Sequence, residues 1–324
     1  MTQPGITQPA ALGGAGPAPA PHDVAAAPAA QGAPGRPGSS FGRLTRHRRG
    51  HRSPAASIGL HAVLIVASVI AVFPIAWIAL ASVKPAGEIA SLGVPSSITL
   101  ENYQRLLTST DFVTWFRNSV VVAAFTMIIG ITMSATAGYA ISRFNFPGKR
   151  SLMWTFLITQ MFPVSILIVP IYTIMSRLGL INTHVSLVIA YCTIAVPFCT
   201  WMLKGYVDSI PRELDEAAAV DGLGPWATFW RVILPLARPG LAVTAFYTFL
   251  TAWGEVAYAS AFINTDNRYT LAYGMQIFVP RPPALPHWDL LTAAAVLITI
   301  PAGIVFFFAQ RHLVAGLTAG STKG

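Results

Sequence analysis

The sequence predicts an all-α integral membrane protein with six transmembrane helices, and three features predict it. The 324 residues are 54% hydrophobic and only 10% charged, with a mean hydropathy of +0.58; a soluble domain of this size carries about 25% charged residues. Apolar runs of about 18 residues or more recur, each long enough to cross roughly 30 Å of hydrocarbon. Lys and Arg are shared unevenly between the segments that join these runs.

The spans fall at about 58–82, 119–141, 151–175, 184–203, 240–262 and 290–310. Residues 1–57 form a separate tail. Of the first 40 residues, 8 are Pro, 11 Ala and 7 Gly, a composition with little to bury, so the tail is expected to be disordered. A basic patch, Arg43 to Arg52, leads into the first span. Ala79-Leu80-Ala81 resembles a signal cleavage site, but the apolar run is too long for a signal peptide and five more spans follow. The first span is therefore an uncleaved anchor. Gly38-Ser39-Ser40-Phe41-Gly42 matches the serine-hydrolase pattern by chance, because a Pro/Ala/Gly tail offers no strand–turn–helix elbow.

Fifteen of the 21 Lys and Arg residues lie in the tail, the second connection, the fourth connection and the C-terminal end. The other six, Lys84, Arg105, Arg117, Arg177, Arg268 and Arg281, lie on the opposite side. Positive residues mark the cytoplasmic side, so both termini are expected to be cytoplasmic, as an even number of spans requires. The net charge of +9 then reflects topology rather than nucleic-acid binding.

Along the chain, the first outside loop covers about 83–118, and Asn118-Ser119 are candidates to cap the second span. That span carries Ser134, Ala135, Ala137, Gly138 and Ala140, small residues that let helices approach closely in lipid. The third span is interrupted by Gln160 and Pro163 and is either one bent span or two shorter pieces. Prolines 74, 163, 170, 197 and 301 lie in or beside spans, where neighbouring helices can replace a lost backbone hydrogen bond. Cys192 and Cys199 share a helix face about 10 Å apart, too far for a disulfide and without metal-ligand spacing. They read as apolar packing.

The fourth connection, 204–239, is long, apolar and aromatic. Ser209 is a candidate N-cap, Pro211 suits a first turn, and Glu213, Asp215 and Glu216 complement the helix dipole. A helix should run through Ala219 and stop at Gly222. Gly224-Pro225 starts a second helix, on which Trp226, Phe229, Trp230 and Ile233 make one apolar stripe. Such a loop either caps the underside of its own bundle or offers a helix to a groove on another protein.

Glu216-Ala217-Ala218, Gly222, Leu234 and Pro235, with Val232 for isoleucine, match the pattern E-A-A-x3-G-x9-I-x-L-P. The chain thus resembles the transmembrane subunit of a bacterial ATP-binding-cassette importer. Ala137-Gly138-Tyr139-Ala140-Ile141-Ser142-Arg143-Phe144, Phe146-Pro147-Gly148-Lys149, Met161-Phe162-Pro163 and the C-terminal Gly316-Leu317-Thr318-Ala319-Gly320 narrow it towards the second permease of maltose-type carbohydrate importers. The resemblance covers about 58–324. It implies a type I importer transmembrane fold in a bacterial inner membrane, whose coupling helix docks on an ATPase dimer. On that reading Glu216, Ala217, Ala218, Gly222, Trp226, Trp230, Leu234 and Pro235 form the coupling site. The implied partners are a second permease subunit, the ATPase dimer, an extracytoplasmic sugar-binding protein and lipid. The resemblance also implies that the loop 263–289 touches the binding protein and that the tail Ala315–Gly324 runs extended along the ATPase. Trp253-Gly254-Glu255 departs from the family's W-N-E or W-N-D.

No phosphate-binding glycine loop, HExxH or catalytic cluster occurs in the sequence. ATP and Mg would be used by the partner ATPase, with no cofactor or metal bound here. A secondary transporter driven by an ion gradient is the alternative, since such proteins carry ionisable residues in mid-span. Glu255 is the clear candidate, and with Gln160 it forms the candidate translocation path. A membrane enzyme lacks convergent catalytic groups. The purified chain alone is expected to hydrolyse no ATP in a phosphate-release assay; turnover by the isolated chain would contradict this reading.

Overall fold

The computed structural model describes residues 54–89, 91, 93–279 and 287–319. The expectations for the N-terminal tail, for residues 280–286 of the loop 263–289 and for residues 320–324 lie outside the described residues. Everything described is helical or irregular, with no strand among these residues. Four helices are long and apolar enough to cross a membrane, and two bent helix pairs could raise the number to six.

Helix α1 (Pro54–Ser82) carries the most apolar stretch of the chain, and none of that stretch is buried. A helix that is apolar all round and unburied needs lipid or another subunit against it. Past its end, Lys84 is fully buried. Its Nζ donates to the carbonyls of Ser91 (2.9 Å) and Gly93 (2.6 Å) and lies 5.0 Å from the Trp77 ring centroid. Two acceptors and an aromatic face replace the lost hydration of this charge. The short α2 (Glu101–Thr108) is joined through Arg105 to Asp289 at 2.7 Å.

The centre of the bundle is α3 (Phe112–Arg143) against α6 (His184–Asp208), the most extensive helix pairing in the chain. Small residues make it possible. A Cβ on Gly138 would lie 3.1 Å from the Lys204 backbone nitrogen, and Ser134 is fully buried. Helix α10 (Arg238–Trp253) packs on both. Gly240 sits against Tyr206 so closely that a Cβ would approach the ring to 2.6 Å.

Three expectations change. Helix α3 begins seven residues before the expected span, so Asn118 and Ser119 are interior and not caps. They hold the outer loop instead: Asn118 Nδ2 donates to the carbonyls of Asn267 and Tyr269, each at 2.9 Å, and Ser119 Oγ accepts from Leu271 N at 2.7 Å. The fifth span is not one helix. Helix α10 stops at Trp253, and Glu255 accepts from the N–H groups of Tyr258 (2.8 Å) and Ala259 (3.2 Å) to open the short α11 (Ala257–Phe262). The last helix, α13 (Trp288–Ala319), which follows the short α12 (Leu271–Gly274), stays helical through Ala319, into the first half of the segment expected to be extended.

The third span is two pieces, α4 (Lys149–Thr159) and α5 (Val164–Arg177), bent by 109°. Pro163 stands at the N-cap of α5, where its missing N–H costs nothing. Gln160 in the elbow donates from Nε2 to the Ile194 carbonyl at 3.1 Å, beside the place where Pro197 interrupts the bonding of α6.

The close approach of α3, α6 and α10 gives a direct expectation. Gly138→Leu and Gly240→Leu should each destabilise the folded subunit by about 1–3 kcal/mol, the usual cost of overpacking. Gly303→Leu, where no atom lies within 4 Å of the added Cβ, should not. Thermal unfolding in detergent measures the difference; equal midpoints for all three would contradict this packing.

Candidate functional site: the loop between α6 and α10

Helix α6 ends with Ser209, whose Oγ donates to the Tyr206 carbonyl at 2.7 Å. The expected N-cap is therefore the C-terminal cap of the preceding helix, because the chain turns through Ile210 and Pro211 before a new helix starts. Helix α7 (Glu213–Val220) opens with Glu213, Asp215 and Glu216 in its first turn, where the helix dipole favours carboxylates. It closes at Gly222, with φ of 79°. There Gly222 N–H donates to the Ala219 carbonyl at 3.0 Å and Leu223 N–H to that of Ala218 at 2.9 Å. This left-handed C-terminal closure favours glycine.

The second half differs from the single stripe expected. One α-turn, α8 (Pro225–Thr228), runs into a π-turn over Phe229–Ile233 and then α9 (Leu234–Leu236). Pro235 explains the widening. Its ring crowds the carbonyl four residues back and it has no N–H to offer, while Leu234 N–H reaches the Phe229 carbonyl. The four aromatic and aliphatic residues then separate. Phe229 (2% exposed) and Ile233 (0%) enter a seat made by Ala135 and Tyr139 of α3 with Leu203 and Val207 of α6. Trp226 and Trp230 remain 64% and 46% exposed, with ring centroids 6.0 Å apart. The seat is too narrow for the whole stripe.

A polar clamp holds the first half. Arg143, the last residue of α3, places Nε 2.9 Å from Asp215 Oδ2; its N–H is not aimed at that oxygen, so this is an ion pair and not a hydrogen bond. The Arg143 Nη2 donates to the Ile210 carbonyl at 2.9 Å. Arg212 reaches back to the Ser142 carbonyl at 3.3 Å, and Ser142 Oγ donates to Asp208 at 2.5 Å. Tyr139 OH donates to the Pro225 carbonyl at 3.3 Å, and its ring lies 5.1 Å from that of Phe229. Asp208 is also paired with Lys204 one turn earlier.

The outer surface of this loop presents Glu216 and Ala217, both exposed, while Ala218 is buried. Leu234 and Pro235 are half-buried and shape the π-turn. An open recess of about 290 Å³ is lined by Tyr139, Arg143, Arg212, Glu216, Ala219 and Leu223, among others. Glu255 and Gln160 belong to different segments of the chain. Each stands at its own helix break, the first at α10–α11 and the second at α4–α5. Among the described residues no group of His, Cys, Asp and Glu could hold a metal. Neither Arg143 nor Tyr139 is marked by the sequence as part of this site. The only signal is their place in the run from Ala137 to Phe144, at the C-terminal end of a small-residue helix face.

Buried and exposed aromatics of the loop should respond differently. Phe229→Ala should cost about 3–5 kcal/mol of subunit stability, read as a lowered unfolding midpoint in detergent. Trp226→Ala and Trp230→Ala should leave that midpoint within the spread of repeat measurements. A similar loss for all three would mean that the tryptophans are packed as well.

Residues 130–319 match the family model described as "Binding-protein-dependent transport system inner membrane component". The maltodextrin transport system permease protein MdxG of Bacillus subtilis is 34% identical over 262 residues, covering 81% of this chain and 94% of that protein. The maltose/maltodextrin transport system permease protein MalG of Vibrio vulnificus is 37% identical over 272 residues, covering 78% and 91%. The diacetylchitobiose uptake system permease protein NgcG of Streptomyces coelicolor is 34% identical, covering 81% and 88%. Among solved structures, a chain of a bacterial ABC transporter involved in alginate import aligns with a TM-score of 0.71 at 21% identity, over 81% of this chain and 99% of that one; the likeness shows the fold. The gradient-driven alternative falls away with these matches. The chain belongs to the binding-protein-dependent transport system inner membrane components and is a permease subunit of a sugar ABC importer, a multi-pass membrane protein whose ATP hydrolysis belongs to a separate subunit.

Proposed function

We propose that the α6–α10 loop is the surface through which this permease engages its ATPase, and that the cargo is a short oligosaccharide of the maltodextrin kind. The observation that supports the first part is the two-sidedness of the loop. Phe229 and Ile233 are sealed into the bundle, while Trp226, Trp230 and Glu216 stand exposed on the same short stretch. Exposed tryptophans are the residues that interfaces use as anchors. Glu216 would accept charge-assisted hydrogen bonds from the ATPase; Ala217 leaves room for a close approach. Gly222 ends α7, and Leu234 with Pro235 fix the turn that aims the tryptophans. ATP with Mg is consumed on the partner.

The excess of Lys and Arg in this loop and in both terminal segments supports a cytoplasmic position for all three. Residues 1–57 are then a cytoplasmic extension and 58–324 the transporter proper. Gln160 and Glu255 lie on the translocation path in this reading, because both occupy helix breaks, where membrane transporters expose polar groups to cargo. The maltodextrin class rests on the relatives, whose names point to maltodextrins twice among the three given above.

The test is the complex purified with its permease and ATPase partners and reconstituted into vesicles. Uptake of labelled maltotriose and diacetylchitobiose is measured with the corresponding binding protein, with ATP or with an ion gradient alone. ATP-dependent uptake of maltotriose, abolished in Glu216→Lys although that variant still inserts in the membrane, is the expected result. Full uptake by Glu216→Lys would remove the coupling assignment, and preference for diacetylchitobiose would remove the maltodextrin assignment.

A further inference from the structure

Resting on that coupling role, the geometry points to Arg143 and Asp215 as the strut that carries movement of the coupling loop into transmembrane helix α3. Asp215 and Glu216 are neighbours in the first turn of α7 and point to different surroundings. Glu216 is exposed, whereas the Asp215 side chain is 21% exposed and meets Arg143. A force applied at Glu216 therefore reaches Arg143 through one residue of helix. Arg143 is itself the last residue of α3, with its side chain only 7% exposed.

Helix α7 has little else to transmit force through. Its eight residues bury one side chain, Ala218, so apolar packing alone holds it weakly against the bundle. The apolar anchor of Phe229 and Ile233 belongs to the other half of the loop and touches both α3 and α6. Arg143 adds directionality. One guanidinium holds α7 through Asp215 and the α6–α7 connection through the Ile210 carbonyl at the same time. A planar group with several fixed donors can do both at once; a lysine ammonium is a point charge on a flexible stem. Because the pair is shielded from water, removing one partner strands the other charge rather than returning it to solvent. Both are positioning residues, acting on the ATPase contact through α7.

The experiment uses the assembled complex with its permease and ATPase partners. Spin labels are placed at Val220 on α7, 88% exposed, and at Ile128 on α3, 63% exposed; the native Cys192 and Cys199 are buried. In the wild type the distance between labels should be single and unchanged between the nucleotide-free and the ATP–vanadate-trapped states, because α7 and α3 move together. Asp215→Asn should still capture the ATPase in wild-type amounts, lose at least tenfold in ATP-driven maltotriose uptake, and show a shifted or broadened distance on trapping. Arg143→Lys should fall between the two, and the double variant Arg143→Gln/Asp215→Asn should be no worse than the worse single variant. A trapped Asp215→Asn complex with the wild-type distance, or uptake within twofold of wild type, would overturn the strut. Loss of ATPase capture would overturn it too, by showing that the pair only holds the fold. A wild-type complex that takes up no sugar with ATP would instead overturn the importer reading on which the strut rests.

Discussion

The contact on which the rest depends is the close packing of α3 on α6. Gly138 lets the two backbones approach until a Cβ would touch the Lys204 amide, and Ser134 is buried in the same seam. Lipid tails are as apolar as leucine, so helices in a membrane gain association free energy mainly from tight packing and hydrogen bonds. At the end nearer the α6–α10 loop this seam is lined by Ala135, Tyr139, Leu203 and Val207. Their side chains form the depression that Phe229 and Ile233 fill. A bulkier residue at 138 would separate the helices and open the seat, so the α6–α10 loop takes its position from a glycine set between Ala135 and Tyr139, two of the residues that line it.

From that seat the loop is fixed twice, by different physics. Its second half is held by burial of aromatic and aliphatic surface, which is non-directional. Its first half is held by the Arg143–Asp215 pair and the neighbouring carbonyl contacts, which are directional. Movement of the loop as a rigid piece is the natural result, and Trp226 and Trp230 stand exposed on that piece. At the other end of α3, Asn118, Ser119 and Trp115 hold the segment from Asp266 to Leu271. One helix thus ties the α6–α10 loop at one of its ends to the Asp266–Leu271 segment at the other.

Much of this was legible in the sequence, and the reasons for the remainder are physical. Apolar run length located α1, α3, α6 and α13 because spanning is a matter of length and hydropathy. Gly222 and the end of α7 were legible because a left-handed turn asks for glycine. Ser209 was misplaced because a serine can cap either end of a helix, and only the path of the chain decides which. The stripe of Trp226, Phe229, Trp230 and Ile233 looked uniform because periodicity reports a face and not the width of the groove that receives it. Glu255 shows a similar limit. The sequence shows a carboxylate in an apolar run, but not that Gly254 breaks the helix there and that the carboxylate caps the next one. Arg143 and Asp215 are 72 positions apart, and nothing local joins them; α3 and α6 must be packed first.

The central claim is that the loop between α6 and α10 meets the ATPase. Both native cysteines are buried, so an introduced cysteine at Val220, beside the exposed Glu216 surface, can be addressed alone. The direct measurement is thiol cross-linking of Val220→Cys in membranes that contain the whole transporter, with the products identified by mass. A cross-link to the ATPase subunit whose yield changes when ATP is added is the result this account requires. Cross-linking confined to the second permease, or a Val220→Cys residue that reacts only with a probe added from the outer side, would contradict it.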